Sequence, residues 1–199
     1  MEYSLPKFFH ILGAVFISGG LIGVWMSDLR SRQLHELASF SEAVRNIAVF
    51  YDGLVVPGAL LLLISGTWMI VLFYGGWNFL QVPWLAGMVG LFAFEFIEGN
   101  TITRLYFMRL RRLTRSALDA GYVTSELERA RGEPVPTFTH FLDLPILFLI
   151  IALGAIQPTT WTLFFAGSLG AIALATLLAL GIPRLYPWRD GEVNQVQSA

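Results

Sequence analysis

Apolar and polar positions alternate along this chain in long blocks. Five apolar stretches, each near the ~20 residues a helix needs to cross hydrocarbon, run from Leu5 to Met26, Phe50 to Phe73, Pro83 to Tyr106, Phe138 to Ile156 and Trp161 to Ile182. The polar segment from Ser27 to Asn46 contains no Pro or Gly and is expected to form a short surface helix running into the second span. Arg104 to Ala120 is expected to carry the third helix on beyond the membrane. Ser125-Glu126-Leu127-Glu128 has the form of a capping box opening a short helix, closed by Gly132, Pro134 and Pro136. The pattern predicts an all-α polytopic transmembrane bundle of five spans. It forms one domain over 1–188, with long connections at 27–49 and 107–137 and a polar, disordered tail at 189–199. No internal repeat or low-complexity stretch interrupts it.

Composition agrees. With 55% hydrophobic and 14% charged residues and a mean hydropathy of +0.63, the chain has more apolar surface than one globular core hides. It reads as an integral membrane protein in contact with lipid. Cysteine is absent, which excludes disulfides, thiolate metal sites and Cys nucleophiles. Arginines crowd two connections: Arg30, Arg32 and Arg45 follow the first span, and Arg109, Arg111, Arg112, Arg115, Arg129 and Arg131 follow the third. The segments 75–82 and 157–160 carry no charge. The positive-inside rule then puts the N-terminus out and the C-terminus in, in a membrane of the bacterial inner (cytoplasmic) type. Tyr3, Tyr74, Trp77, Trp84 and Trp161 fall at one interface, and Trp25, Tyr51, Tyr106, Tyr186 and Trp188 at the other, as an aromatic belt requires. Met1-Glu2-Tyr3-Ser4 lacks a basic n-region, so the first span is expected to be retained.

Within the apolar blocks sit groups that lipid does not tolerate unpaired, and each is a candidate functional residue. His10 lies ~8 Å below the outer surface by helical rise, with Met69 and Met88 at similar depth. Asp52, Glu98, Asn100, His140 and Asp143 lie near the inner surface, and Glu95 is closer to the midplane. His10 and His140 are thus ~20 Å apart and cannot ligate one haem together. Glu95 and Glu98 are three residues apart, as are His140 and Asp143, so each pair shares a helix face. Converging at depth, these groups can relay protons or bind a hard cation, with Glu98 and Asp143 as the candidate catalytic pair. They can equally form a structural network in which Glu98 and Asn100 hydrogen-bond across helices and Arg104 neutralises a carboxylate. A di-metal carboxylate site would need Glu-x-x-His on paired helices, and the sequence has none. Nucleotide-binding and hydrolase motifs are also missing. The arginines at 104–115 suit anionic lipid headgroups and not nucleic acid, and His35 is expected to be solvated.

The order of motifs resembles the HemJ-type protoporphyrinogen oxidases and the predicted integral membrane proteins grouped near them. The residues that carry it are Phe9-His10-Ile11, Val56-Pro57-Gly58 with Ser65-Gly66-Thr67-Trp68, Pro83-Trp84-Leu85, and Asp143-Leu144-Pro145 ending at Gln157-Pro158. It covers the first four spans, and Trp161 to Ile182 is extra. Where that family has a Lys after the third-span Trp-Leu and a His-rich step two turns later, this chain has Met88 and Glu98-Gly99-Asn100. The resemblance therefore implies the fold and a tetrapyrrole-linked role more than the oxidase activity. It makes His10 the candidate iron ligand of a b-type haem, with Met88 or Met69 as a second ligand. A His that only hydrogen-bonds a neighbouring helix is the plain alternative.

Two functions follow. The first is a haem- or porphyrin-binding redox protein, in enzymatic form a membrane oxidoreductase, exchanging electrons with a quinone or a redox partner protein. The second is a non-enzymatic multi-pass protein, such as an ion- or proton-linked transporter subunit or an assembly partner. Transporters favour Gly- or Pro-broken helices and inverted repeats. Pro57-Gly58 is one such break, and the sequence offers no matching second.

Overall fold

The computed structural model describes residues 4–34 and 36–186, which are helical almost throughout. Met1 to Tyr3, His35, Trp188 and the tail lie outside the described residues. Five helices are long and apolar enough to cross a membrane: α1 (Ser4–Ser31), α2 (Leu37–Phe73), α3 (Pro83–Ala120), α5 (Pro134–Ile156) and α6 (Thr162–Leu185). A short α4 (Ser125–Arg131) joins α3 to α5. The five-span, all-helical expectation holds.

The helix ends differ from expectation in instructive ways. Ser27 to Ser31 continue α1, so the first span ends at Ser31, and the part of the expected surface helix from Leu37 on is the first part of α2. One turn earlier than expected, α5 opens at Pro134, because a proline at the first helical position gives up an N–H that would be unpaired anyway. The cap of α4 is Thr124, whose hydroxyl accepts from the Leu127 N–H at 3.3 Å. With Leu127 at the third position the reciprocal half of a capping box is missing. The expected extension of α3 is present and ends at Gly121, which takes the left-handed φ of 77°.

Small residues set how closely the helices approach. A Cβ on Gly13 of α1 would stand 2.9 Å from the Gly58 carbonyl oxygen of α2, and one on Gly58 would stand 2.8 Å from the Ile17 nitrogen. The two backbones therefore touch, as small-residue seams allow in lipid, where dispersion replaces the hydrophobic drive. On α2 the buried residues Phe40, Val44, Ile47, Tyr51, Val55, Ala59 and Leu62 repeat at helical spacing over the whole inner face. They meet Ile17, Leu21 and Val24 of α1 and Tyr106, Phe107 and Leu110 of α3. A second core joins Leu91 of α3, Leu142, Ile146, Leu149 and Leu153 of α5, and Ala171 and Ala175 of α6. Outside that alanine seam the residues of α6 are exposed or half-buried, as on a helix facing lipid on most sides.

Two of the long helices change pitch within the bundle. In α2 the turn Tyr51–Val55 is a π-helix, with the Val56 N–H bonded to the carbonyl of Tyr51 five residues back. Pro57 follows directly; lacking an N–H, it cannot serve the carbonyl of Gly53, and the widened turn absorbs the mismatch. In α3 the turn Gly99–Thr103 is also π, closed by Arg104 N–H to Gly99. No proline causes it; Gly, Asn and β-branched residues, all weak helix formers, fill it. Tyr51 clasps the two π-turns together, its hydroxyl donating to the Gly99 carbonyl at 2.9 Å. A Cβ at Gly99 would lie 2.7 Å from that hydroxyl, so only glycine fits. The interruption that the sequence appeared to lack is therefore present in α3.

Candidate functional site

Three carboxyl groups converge beside the clasped π-turns. Glu95 and Glu98 project from α3, one helical turn apart, and both lie within hydrogen-bonding reach of Asp143 on α5. Asp143 is only 2% exposed, and neither of its oxygens has a donor; one oxygen each of Glu95 and Glu98 is likewise buried without one. Two carboxyl groups in contact make a hydrogen bond only when one carries a proton. A proton is thus the group that completes this arrangement.

The other oxygen of Glu98 is held firmly. Thr103 donates to it at 2.8 Å, and Thr103 lies 3.0 Å from Thr139 of α5. The Thr139 hydroxyl also donates to the Pro136 carbonyl of its own helix at 3.3 Å. Glu98 is thus bonded within α3 and linked to α5 only through Thr103, and the direct cross-helix bond expected of this residue is not made. Asn100 behaves likewise: its amide donates to the Phe96 carbonyl of its own helix at 2.8 Å.

Next to the carboxyl groups is a cavity of about 60 Å³, lined by Tyr51, Glu95, Asn100, Asp143 and apolar side chains of α1, α2 and α5. A water needs roughly 10–15 Å³ and two or more polar partners, so the cavity is large enough for a few waters next to the unpartnered oxygens. Among the described residues no three His, Cys, Asp or Glu side chains are arranged to hold a metal ion. The site suits protons and water better than a coordinated cation.

A second polar cluster lies toward the end of the bundle that carries the long connections. Arg32 donates to Asp28 at 2.8 Å, with both side chains buried, and His140 Nε2 stands 3.6 Å from the same Asp28 oxygen. His140 is 2% exposed and neither ring nitrogen has a hydrogen bond. Its ring is enclosed by Phe107 at 5.2 Å, Phe141 at 5.0 Å and Trp25 at 6.0 Å between centroids. The Trp25 indole also donates to the His140 carbonyl at 3.1 Å. That tie crosses from α1 to α5 one turn before Pro145, which sits inside the helix.

Sequence reasoning missed Asp28, Tyr51, Thr103 and Thr139 as members of these clusters. Asp28 and Arg32 had been assigned to a solvated connection, although their i,i+4 spacing was a readable signal. Asp52 and Arg104 were grouped with the inner acids, yet they pair with each other at 3.0 Å, half-exposed. Arg104 therefore neutralises one carboxylate of the inner group, as expected, and that carboxylate is Asp52 and not one of the buried three.

His10 is separate from all of this. Its Nδ1 lies 3.2 Å from the Ser65 hydroxyl of α2, and that hydroxyl donates to the Leu61 carbonyl. With the serine hydrogen spent, Nδ1 is the donor and Nε2 keeps its lone pair, the form an imidazole needs to ligate a metal. Yet the ring lies against the α2 backbone, where a Cβ on Gly66 would be 3.4 Å away, and α1 and α2 touch at Gly13 and Gly58. No macrocycle enters between them; one would reach Nε2 only from the lipid side. Met88 packs with α5, its sulfur 3.3 Å from where a Cβ of Gly154 would lie. It is held on a different helix pair from His10. Met69 lies one turn from Ser65 on α2. The residues thus do not fit a haem held inside the bundle by His10 and Met88.

Bundle and clusters together define a multi-pass helical membrane protein with a buried acidic site beside a small cavity. Residues 4–158 match the model of the family described as predicted integral membrane protein (DUF2269), and the chain belongs to that family. The matched segment ends before α6. No curated protein and no solved structure matches the chain.

Proposed function

We propose that this protein is a proton-linked membrane protein, a carrier or carrier subunit, that takes up and releases protons at Glu95, Glu98 and Asp143. The observation that supports it best is a set of buried carboxyl oxygens without donors, beside a water-sized cavity where two transmembrane helices are both widened into π-turns. Such turns concentrate at functional sites, and intramembrane acids facing a wet cavity mark proton and ion pathways. A purely structural network would leave few buried polar atoms unsatisfied. This site leaves four, all on carboxyl groups. The arginine-rich connections favour an inner membrane of bacterial type with the long connections in the cytoplasm.

Infrared difference spectra of the protein in proteoliposomes, recorded after a pH jump, test this reading. A protonated-carboxyl band that disappears in Asp143→Asn is the expected result. Spectra without any carboxyl band would remove the proposal.

The haem-linked redox reading keeps one supporting observation, the free Nε2 of His10 backed by Ser65. When bound, a haem would supply one-electron chemistry, and a quinone or a redox partner protein would be its exchange partner. Ser65 would orient the imidazole. A Soret band in purified protein that is lost in His10→Ala is what this reading requires, and protein that stays colourless after haem addition rules it out.

A further inference from the structure

We infer that His140 passes protons between Asp28, near the end of the bundle with the long connections, and the acidic site at Asp143. This rests on the proton-linked reading above and adds the route. His140 and Asp143 are three residues apart on one face of α5, which puts their side chains within ~6 Å of each other. On its other side, His140 Nε2 lies 3.6 Å from Asp28. Both ring nitrogens are buried and without hydrogen bonds, an arrangement that folded proteins seldom keep. A histidine kept only for packing would tie at least one nitrogen to a carbonyl.

The walls around it strengthen the assignment. Trp25, Phe107 and Phe141 surround the imidazole, leaving little room for a water chain to pass alongside. Arg32 holds Asp28 in place at 2.8 Å and balances its charge. The transfer itself is simple. A proton arriving from water by way of Asp28 binds Nε2, and the imidazolium releases the proton on Nδ1 to a carboxylate oxygen of Asp143. One proton moves inward, and the neutral ring regains its first tautomer by rotation. Thr103 and Thr139 brace Glu98 and take no part.

Time-resolved infrared spectroscopy after a pH jump tests the route, using the carboxyl band assigned to Asp143 by its loss in Asp143→Asn. In His140→Gln and in Asp28→Asn the band should keep its amplitude at equilibrium. Its rise should slow by about a hundredfold, the usual contribution of a positioned proton carrier. In the unaltered protein with ring-labelled histidine, an imidazole band should change on the same time course as the carboxyl band. Unchanged rates in a folded variant overturn the route and leave the acidic site standing. So does a carboxyl band in the unaltered protein that rises with no imidazole change, a measurement that needs no variant to fold. If the unaltered protein lacks the carboxyl band, both proposals fall together.

Discussion

Replacing Asp143 separates a proton site from incidental carboxyl groups by stability as well as by spectroscopy. Asp143→Asn keeps the shape of the side chain and adds two N–H donors between Glu95 and Glu98, whose facing oxygens have no donor. A hydrogen bond to a charged group contributes ~1.5–3 kcal/mol. The amide thus replaces what the proton supplied, and the variant should be at least as stable as the parent while unable to exchange a proton there. Asp143→Ala removes the partner altogether. It strands Glu95 and Glu98 at about 1–3 kcal/mol each and enlarges the neighbouring cavity. The two variants should therefore differ by at least ~2 kcal/mol, which is about 4–8 °C in melting temperature for a domain of this size. Thermal melts followed by tryptophan fluorescence in detergent, with size-exclusion profiles before and after, read this directly. Equal melting temperatures for the Asn and Ala variants would refute the reasoning, because the carboxyl group would then be lining a wet crevice and contacting nothing.

Gly58→Ala should lower stability by about 1–3 kcal/mol, the range for overpacking, because its Cβ meets backbone atoms of α1 at 2.8 and 2.9 Å. Gly170→Ala on α6 points into open space and should be neutral or stabilise by up to ~1 kcal/mol through helix propensity; comparative thermal melts decide both. Membrane topology is checked by fusion reporters: one after Trp188 should read cytoplasmic and one near Asn78 periplasmic, and the reverse would overturn the orientation drawn from the arginines.

Much of the architecture was legible because lipid imposes so few options. Length and hydropathy located five spans, and Pro57 marked the place where α2 changes pitch. The π-turn in α3 was not legible, since Gly99-Asn100-Thr101-Ile102-Thr103 only weakens a helix. What fixes the widened turn there includes a tertiary partner, the Tyr51 hydroxyl, 48 residues away in sequence. The i,i+3 pairs of α3 and α5 correctly gave Glu95 and Glu98 one face and His140 and Asp143 another. Which partner each would find was not written in the spacing. Arg104 was expected to neutralise one carboxylate of the inner group, and it does so at Asp52, half-exposed, while Glu95, Glu98 and Asp143 stay out of its reach. Asp28 was hidden by the opposite error. A charged residue next to Arg30 and Arg32 looks like part of a loop until α1 is seen to run one turn longer.

The two π-turns and the acids belong to one design problem. A regular helix pair packed through small residues, as α1 and α2 are at Gly13 and Gly58, leaves no room for water. Widening one turn in α2 and another in α3 opens a cavity locally while the helices stay in contact above and below. The Tyr51 bond to Gly99 holds the widened turns in register, and Gly99 must be glycine to admit it. The same geometry then supplies what buried carboxyl groups need in order to exchange protons: room for water on one side, a shared partner in Asp143 on the other, and a brace through Thr103 and Thr139. Filling the cavity with apolar side chains would have been the simpler way to stabilise the bundle. Keeping acids and space together in the membrane interior makes sense when the proton itself is what the site accommodates.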